Sequence, residues 1–252
     1  MRKKVFLVLL SFLFLFCSLV YAGTIKIEVT EELELEQEVE AGEGAKEEKK
    51  TEVIIVQQEP ASGFKGNGGP LLAYMQLDLA ELNANLPDGF AGLSSDMLLF
   101  GGGGLIGMKE GIRFGGYGYE GETSALGDDG KKIILKLSYG GLLYEKGIFS
   151  TKDTDIALGV VLGGGQAFLD MTYGEYADWT KPNSNSYERI FGFIMPELSF
   201  HHQFSAFMGL DLTLAYLWDF TGPNWKYYGK DTKLPLENLS APMASLRLSF
   251  GF

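Results

Sequence analysis

The chain ends on Leu246-Arg247-Leu248-Ser249-Phe250-Gly251-Phe252, where large apolar residues alternate with small or polar ones. A β-strand points successive side chains to opposite faces, so this period of two predicts a strand with one apolar face. That face would hold Leu246, Leu248, Phe250 and Phe252, with Ser245, Arg247, Ser249 and Gly251 on the other. Such a strand fits a barrel with lipid outside and a polar lumen inside.

Seven further segments have strand character, and together with the last one they predict an all-β fold. Their approximate bounds are 70–79, 96–108, 110–121, 131–145, 154–170, 188–201 and 206–220. The segments between them are alternately short and long, as in barrels whose short periplasmic turns alternate with longer extracellular loops. We therefore expect an antiparallel up-and-down transmembrane β-barrel of eight strands, with both termini on the periplasmic side.

The alternation also assigns side chains to the lumen. In the segment 131–145, Ile133 to Tyr139 alternate with Lys132 and Lys136, and we expect the apolar set to face lipid. The odd-numbered apolar residues of the segment 70–79 are assigned to lipid in the same way. The predicted inward charges are Arg113, Lys132, Lys136, Glu197, Asp211 and Arg247. Because eight strands enclose a space that side chains fill, we expect these charges to neutralise one another; a selective channel lining is the alternative.

The N-terminal part of the chain predicts export. Arg2-Lys3-Lys4 precedes an apolar run from Val5 to Val20, and Ala22 ends a small-residue cleavage site, so residues 1–22 are predicted to be a signal peptide. Residues 23–68 are rich in glutamate and predict an acidic, flexible periplasmic segment. The barrel would then occupy residues 69–252. The single cysteine, Cys17, would leave with the leader, so no disulfide or thiolate is expected in the mature chain.

The leader, the alternating segments and the terminal phenylalanine together resemble small bacterial outer-membrane β-barrel proteins of the eight-stranded type, with no specific subfamily. This resemblance implies export by the general secretory route into the outer membrane of a two-membraned bacterium. It also implies that Leu246, Leu248, Phe250 and Phe252 form the signal read by the barrel-assembly machinery. A soluble barrel is disfavoured, because its dry core could not hold the predicted inward charges.

No catalytic residue, cofactor or metal site is predicted. The run Gly102–Gly107 has the spacing G-x-G-x-x-G, but a dinucleotide site needs a following helix and none is expected. The only two histidines, His201 and His202, fall at a predicted periplasmic turn, and adjacent histidines without a nearby carboxylate are a weak metal site. The formal net charge of −12 disfavours nucleic acid as a partner.

Two predicted loops carry aromatic residues that could stack on an extracellular sugar or protein ligand. These residues are Tyr176, Trp179, Trp225, Tyr227 and Tyr228. An aromatic girdle at the membrane interface is the alternative role for them. We therefore expect an outer-membrane barrel with membrane lipids as partners and a structural or surface-binding role. A barrel enzyme acting on lipid or peptide, and a narrow channel, remain open alternatives.

Overall fold

The protein is described here by a computed structural model over residues 64–174 and 183–251. The first seven strands are β1 (Phe64–Gln76), β2 (Asp96–Met108), β3 (Ile112–Leu126), β4 (Lys131–Ser150), β5 (Thr154–Tyr173), β6 (Ser184–Gln203) and β7 (Met208–Asp219). A short hairpin of β8 (Lys226–Tyr227) and β9 (Lys230–Asp231) precedes the eighth long strand, β10 (Ala241–Gly251). Each long strand pairs with the next, and β10 pairs with β1. The predicted eight-stranded antiparallel β-barrel is therefore confirmed.

The described ranges contain no helix long and apolar enough to cross a membrane.

The strands are staggered around the barrel. The stagger is measured by following directly paired residues from strand to strand around the barrel. A path that starts at His201 on β6 returns to β6 at Phe191, ten residues away. Between them the path passes through Asp211, Arg247, Leu71, Gly101, Tyr119, Tyr139 and Gly165. This stagger corresponds to strands tilted by roughly 40° from the barrel axis. A barrel of this size has an interior that side chains can fill.

The two ends of the barrel differ. The turn end carries the tight connections 109–111, 151–153 and 204–207, and the loop end carries 77–95, 127–130, 174–183 and 220–240. The connection 127–130 is a tight turn, because β3 continues to Leu126, beyond the predicted end of this strand at 121. Strands β3 to β6 have 15 to 20 residues and the other four long strands have 11 to 13, so one side of the wall is higher.

The half of the lumen nearer the loop end is an apolar core. It is filled from the strands by Met75, Met97, Leu99, Ile133, Leu135, Leu137, Leu169, Phe191, Phe193 and Leu217. The loops 77–95 and 220–240 fold over it and add Leu79, Leu82, Leu93, Trp225, Leu236 and Leu239. Burial of these side chains from both strands and loops closes the loop end of the lumen.

This arrangement reverses the predicted orientation of β1 and of the first half of β4. Leu135 and Leu137 face the lumen, whereas Lys132 and Lys136 are exposed on the outer surface, so the prediction that both lysines point inward is wrong. The reason is strand length. β4 has 20 residues, whereas about 9 to 11 residues suffice to cross a bilayer. The remainder of β4 has the polarity of a water-soluble barrel, with apolar side chains inside.

The outer surface consequently has two zones. Around the turn half it is apolar, and its exposed side chains include Ile106, Phe114, Leu142, Leu158, Leu162, Leu198, Leu246, Leu248 and Phe250. Around the loop half of β3, β4 and β6 charged side chains are exposed, with Leu126 and Ile190 among them; the charged residues are Glu120, Glu122, Lys132, Lys136 and Glu188. On β4 the odd-numbered residues face inward and the even-numbered residues face outward as far as Gly147, and what changes with height is the polarity of the outward side chains.

Inward-facing glycines make room for a layer of aromatic side chains at mid-height in the lumen. This aromatic layer consists of Tyr117, Tyr119, Tyr139, Phe191 and Phe193. At Gly165 an added Cβ would press against Tyr139 and would lie 2.8 Å from the Phe191 ring. At Gly165 the absent side chain therefore leaves the space that these rings occupy.

Candidate functional site

Six ionisable residues, each from a different strand, form a continuous chain across the turn half of the lumen. In order, this ion chain comprises Arg247, Asp211, His201, Glu145, Arg113 and Asp155. Arg247 Nε lies 2.7 Å from Asp211 Oδ2, and Arg113 Nε lies 2.7 Å from Glu145 Oε1. Arg113 also pairs with Asp155. No member is more than 4% exposed, so each charge depends on its neighbours in place of water.

The geometry around His201 determines the charge of the chain. Its Nδ1 lies 2.9 Å from Asp211 Oδ1, and its Nε2 lies 3.2 Å from Glu145 Oε2. A neutral imidazole has one N–H donor, whereas the imidazolium has two. Because a carboxylate is placed to accept from each ring nitrogen, the imidazolium form is favoured. With His201 charged, positive and negative groups alternate along the whole ion chain, and the six formal charges cancel.

One further carboxylate lies between the ion chain and the aromatic layer. Tyr117 donates a hydrogen bond from its hydroxyl to Glu197, and the hydroxyls of Ser199 and Thr213 lie 3.1 Å apart nearby. A cavity of about 10 Å3 remains among these side chains, at most the space of one water molecule. The described side chains thus fill the lumen at three successive levels: ion chain, aromatic layer and apolar core.

A buried ion pair anchors the loop 220–240 at the loop end. Arg189 on β6 pairs with Asp219 at the end of β7, and it donates from Nε to Asn224 Oδ1 at 3.2 Å. Asp219 also accepts the backbone N–H of Leu239 at 3.2 Å and that of Thr221 at 3.0 Å. The pair therefore binds the start and the end of the loop at one point.

Trp225 belongs to the same anchored loop and is completely buried. Its indole Nε1 donates to the backbone oxygen of Leu236 at 2.8 Å, and its ring packs in the apolar core. The prediction that Trp225 contacts an extracellular ligand is wrong for this conformation, because packing and an internal hydrogen bond occupy the ring. Tyr176 and Trp179, predicted for the same role, lie outside the described residues.

The other two predicted loop aromatics belong to a cluster at the inner edge of the loop end, which we call the rim cluster. It consists of Phe90, Tyr173, Asn185, Tyr187, Tyr227 and Tyr228. The ring centroids of Tyr187 and Tyr227 are 5.2 Å apart, and those of Tyr227 and Tyr228 are 4.6 Å apart. Phe90 contacts Tyr173 edge to face at 5.1 Å. Tyr228 is 70% exposed, which leaves it accessible to a ligand.

The structure brings together four of the six charges predicted for the lumen. Arg113, Glu197, Asp211 and Arg247 are buried inside, whereas Lys132 and Lys136 are outside. Sequence analysis missed Glu145, Asp155 and His201, and it placed His201 at a turn although the ring lies within the lumen. It also missed Arg189 and Asp219. Arg189 and His201 share the phase of Glu197, and Asp219 shares that of Asp211, so phase was the available signal for these three. Glu145 shares the phase of Ile133 to Tyr139, which were assigned to lipid.

The terminal strand keeps its predicted alternation. Leu246, Leu248 and Phe250 are exposed on the outer surface, and Ser245, Arg247 and Ser249 are buried inside. The side chain of Phe252 lies outside the described residues. Within residues 64–174 and 183–251, no three His, Cys, Asp or Glu side chains are grouped so as to hold a metal ion.

These features define the class of structure: a closed eight-stranded antiparallel barrel with a filled lumen. The chain matches no protein-family model and no curated protein sequence.

Several solved structures of outer-membrane proteins are similar to it. One is Ail, the attachment invasion locus protein of Yersinia pestis, in complex with the heparin analogue sucrose octasulfate; it is 10% identical over 76% of this chain and 100% of its own, with a TM-score of 0.41. The outer membrane protease OmpT from Escherichia coli is 9% identical over 75% and 96%, with a TM-score of 0.39. The outer membrane protein OprG from Pseudomonas aeruginosa is 10% identical over 76% and 96%, with a TM-score of 0.40. Similarity at this level carries no information on function.

Proposed function

We propose that the protein is an integral outer-membrane barrel with a structural or surface-binding role. The observation that carries this proposal is the polarity of the turn half. There, apolar side chains such as Phe114, Leu142 and Leu162 are exposed on the outside, while the ion chain is buried inside. In water this arrangement would expose a large apolar belt and bury charges, both at a cost. Against acyl chains the same belt is the favourable surface.

The filled lumen supports an anchoring role over a channel. An ion crossing the barrel would have to displace the ion chain, the aromatic layer and the apolar core in turn. Each of these is packed from the wall, and the apolar core is also covered by an anchored loop. A pathway with three such obstacles has a high barrier, because each involves buried contacts that must be broken.

The parts outside the described residues complete the proposal. We expect residues 1–22 to be the signal peptide and the predicted segment 23–68 to be an acidic periplasmic tail, shortened at its C-terminal end because β1 begins at Phe64. The outward row Leu246, Leu248 and Phe250, together with Phe252, is the signal for the barrel-assembly machinery. The turn end then faces the periplasm and the loop end faces the exterior, where the polar outer zone of β3, β4 and β6 meets water and lipid headgroups.

A surface-binding role is supported by the exposed tyrosines of the rim cluster. Tyr227 and Tyr228 lie on a hairpin held to the wall, so that aromatic surface is presented in a fixed position. Rigid tyrosines supply contact area with little loss of side-chain entropy and favour sugar or protein ligands.

The proposal is tested by expressing the full-length chain and fractionating the envelope. We expect the protein in outer-membrane extracts and a different electrophoretic mobility for boiled and unboiled samples, because a folded barrel resists unfolding by detergent. In planar bilayers the purified protein should give no stepwise current. Recovery as a freely soluble protein without detergent would overturn the membrane assignment, and reproducible single-channel steps would establish the channel instead.

A further inference from the structure

The hairpin of β8 and β9 has a tyrosine at a turn position where asparagine or glycine would be more stable. Its two turn positions, Tyr228 and Gly229, have φ values of +47° and +75°. A two-residue turn of this kind favours Asn-Gly or Gly-Gly, and a bulky residue at positive φ is an outlier. Tyr228 also leaves 70% of its surface in solvent, so burial does not compensate for its unfavourable backbone. An outlier maintained without a packing reason points to function.

The rim cluster offers flat surfaces of two orientations. The rings of Tyr187 and Tyr227 are inclined by only 35° to each other, and the ring of Tyr228 stands at 69° to that of Tyr227. The cluster therefore has a floor and a side wall. A pyranose ring stacks its C–H face on such an aromatic floor, whereas the rest of its surface is polar.

Fixed polar groups adjoin these rings. Tyr227 donates from its hydroxyl to Asn185 Oδ1 at 2.9 Å, and Asn185 Nδ2 donates to the Tyr173 hydroxyl at 3.2 Å. These bonds orient the amide and leave the Tyr173 O–H able to donate to a sugar hydroxyl. A few oriented polar groups beside aromatic surface are typical of small-ligand sites.

The charges around the rim are sorted by face. Directly paired strand residues point to the same side, so Lys131 shares the inner face with Tyr173, and Lys230 shares it with Tyr227. The nearby carboxylates of Asp170, Glu188 and Asp231 belong to residues on the opposite face of the same strands. Among these paired strand residues, the face that carries the tyrosines carries cations, and one of them, Lys131, already donates from Nζ to the backbone oxygen of Asp88 at 2.9 Å. That face is complementary to an anionic ligand.

We infer that the rim cluster binds acidic oligosaccharides. Their pyranose rings would stack on Tyr187, Tyr227 and Tyr228, and their carboxylate or sulfate groups would lie beside Lys131 and Lys230. This inference rests on the proposed function, because a glycan reaches the site only if the loop end faces the exterior. Since the whole chain is strongly acidic, with a net charge of −12, unspecific attraction of a polyanion is not expected.

The experiment measures binding of labelled oligosaccharides to the full-length chain in detergent micelles. The probes are a hyaluronan hexasaccharide with carboxylates, a heparin hexasaccharide with added sulfates, and neutral maltohexaose. We expect sub-millimolar dissociation constants for at least one acidic probe and at least tenfold weaker binding of maltohexaose. The ratio of the dissociation constants of the two acidic probes then shows whether carboxylate or sulfate is preferred.

Tyr228→Asn separates binding from folding. Asparagine suits the turn better than tyrosine does, so the unfolding midpoint should stay the same or rise, while affinity for the acidic probe should fall at least tenfold. Lys230→Ala should lower the affinity for the acidic probes several-fold and leave the affinity for maltohexaose unchanged. Lys233→Ala, which removes an exposed lysine of the same loop outside the hairpin, is the matched control and should keep the affinity.

Three results would overturn the inference: no binding of either acidic probe by the folded protein, equally tight binding of maltohexaose, or full affinity in Tyr228→Asn. Because the assay runs in micelles, none of these results bears on membrane insertion. Failure to insert into bilayers would in turn reject the proposed function while leaving the binding measurements as they are.

Discussion

Arg189 and Asp219 form a buried ion pair that joins the high side of the barrel wall to both ends of the loop 220–240. Arg189 is 1% exposed and Asp219 is 6% exposed, so neither group can exchange its partner for bulk water. The loop in turn places Trp225 in the apolar core. One ion pair thus controls whether the loop end of the lumen is covered.

Replacement of Asp219 by asparagine should loosen this loop. The change leaves the Arg189 cation buried without a charged partner, and breaking a buried pair in this way costs about 3 to 5 kcal/mol. We expect a lower urea midpoint and faster tryptic cleavage at the exposed Lys226, Lys230 and Lys233. Asp231→Asn, which alters an exposed carboxylate of the same loop, should behave as wild type. Equal cleavage rates in the two variants would contradict the anchoring role of the pair.

The second prediction concerns the stability contributed by His201, with the adjacent His202 as the control. His201→Phe removes the group between Asp211 and Glu145 and leaves two buried carboxylates facing an apolar ring, so we expect a loss of about 3 kcal/mol or more. His202 points outward and bonds Thr154 Oγ1 at 2.9 Å. His202→Phe should therefore cost less than about 1 kcal/mol. Urea unfolding of both variants in micelles measures the difference, and equal losses would argue against the ion chain.

The charge of His201 can be observed directly. With carboxylates beside both ring nitrogens, we expect nitrogen NMR of the selectively labelled protein at neutral pH to show both nitrogens protonated. A spectrum with one protonated nitrogen would mean that the charges along the chain do not alternate in the way described.

Gly165 and Gly164 are adjacent on β5 and face opposite sides of the wall. A Cβ at Gly165 would press on Tyr139 and lie 2.8 Å from the Phe191 ring, whereas one at Gly164 would meet only the Phe191 backbone oxygen at 3.3 Å. Gly165→Ala should therefore destabilise the barrel by about 1 to 3 kcal/mol through overpacking. Gly164→Ala should have little effect. The comparison uses unfolding midpoints, and an equal response would remove the argument that inward glycines make space for the aromatic layer.

The sequence predicts best where one strand stays within one zone of the outer surface. On β7 and β10 the apolar residues of the predicted outward face, Met208 to Trp218 and Leu246 to Phe250, keep to the outside, while Leu217 and Met243 on the other face are buried in the core. The same holds on β5 for Leu158 and Leu162, and on β6 for Leu198. In these cases the apolar residues that alternate along the segment face outward, as a lipid environment requires.

The errors on β1 and β4 have a common physical cause. A period of two identifies which residues share a face, but it does not say whether that face is inside or outside. The answer depends on height along the barrel axis, because lipid favours apolar side chains outside and water favours them inside. On β4 this change falls between Lys136 and Leu142, both of which are exposed. The length of the strand was the clue in the sequence.

The ion chain could be predicted only in part. The period-two alternation of the strands assigns Arg113 and Asp211 to the lumen. Contacts between distant strands, however, depend on the stagger of the barrel, which a single sequence does not reveal. Glu145 and His201 are 56 positions apart and meet across the lumen. The burial of Trp225 depends likewise on the fold of an irregular loop, for which periodicity gives no information.

The central claim, that the outer surface of one strand changes from water-facing to lipid-facing, is tested most directly by a spin-label scan of β4 in bilayers. Single cysteines are introduced from residue 132 to 145 in the chain with Cys17 replaced, and each label is measured for access to oxygen and to a water-soluble nickel reagent. We expect labels at 136 and 138 to meet nickel, labels at 142 and 144 to meet oxygen, and labels at 135, 137 and 143 to meet neither. Nickel access at 142 and 144 would show that the turn half is in water and would contradict the account.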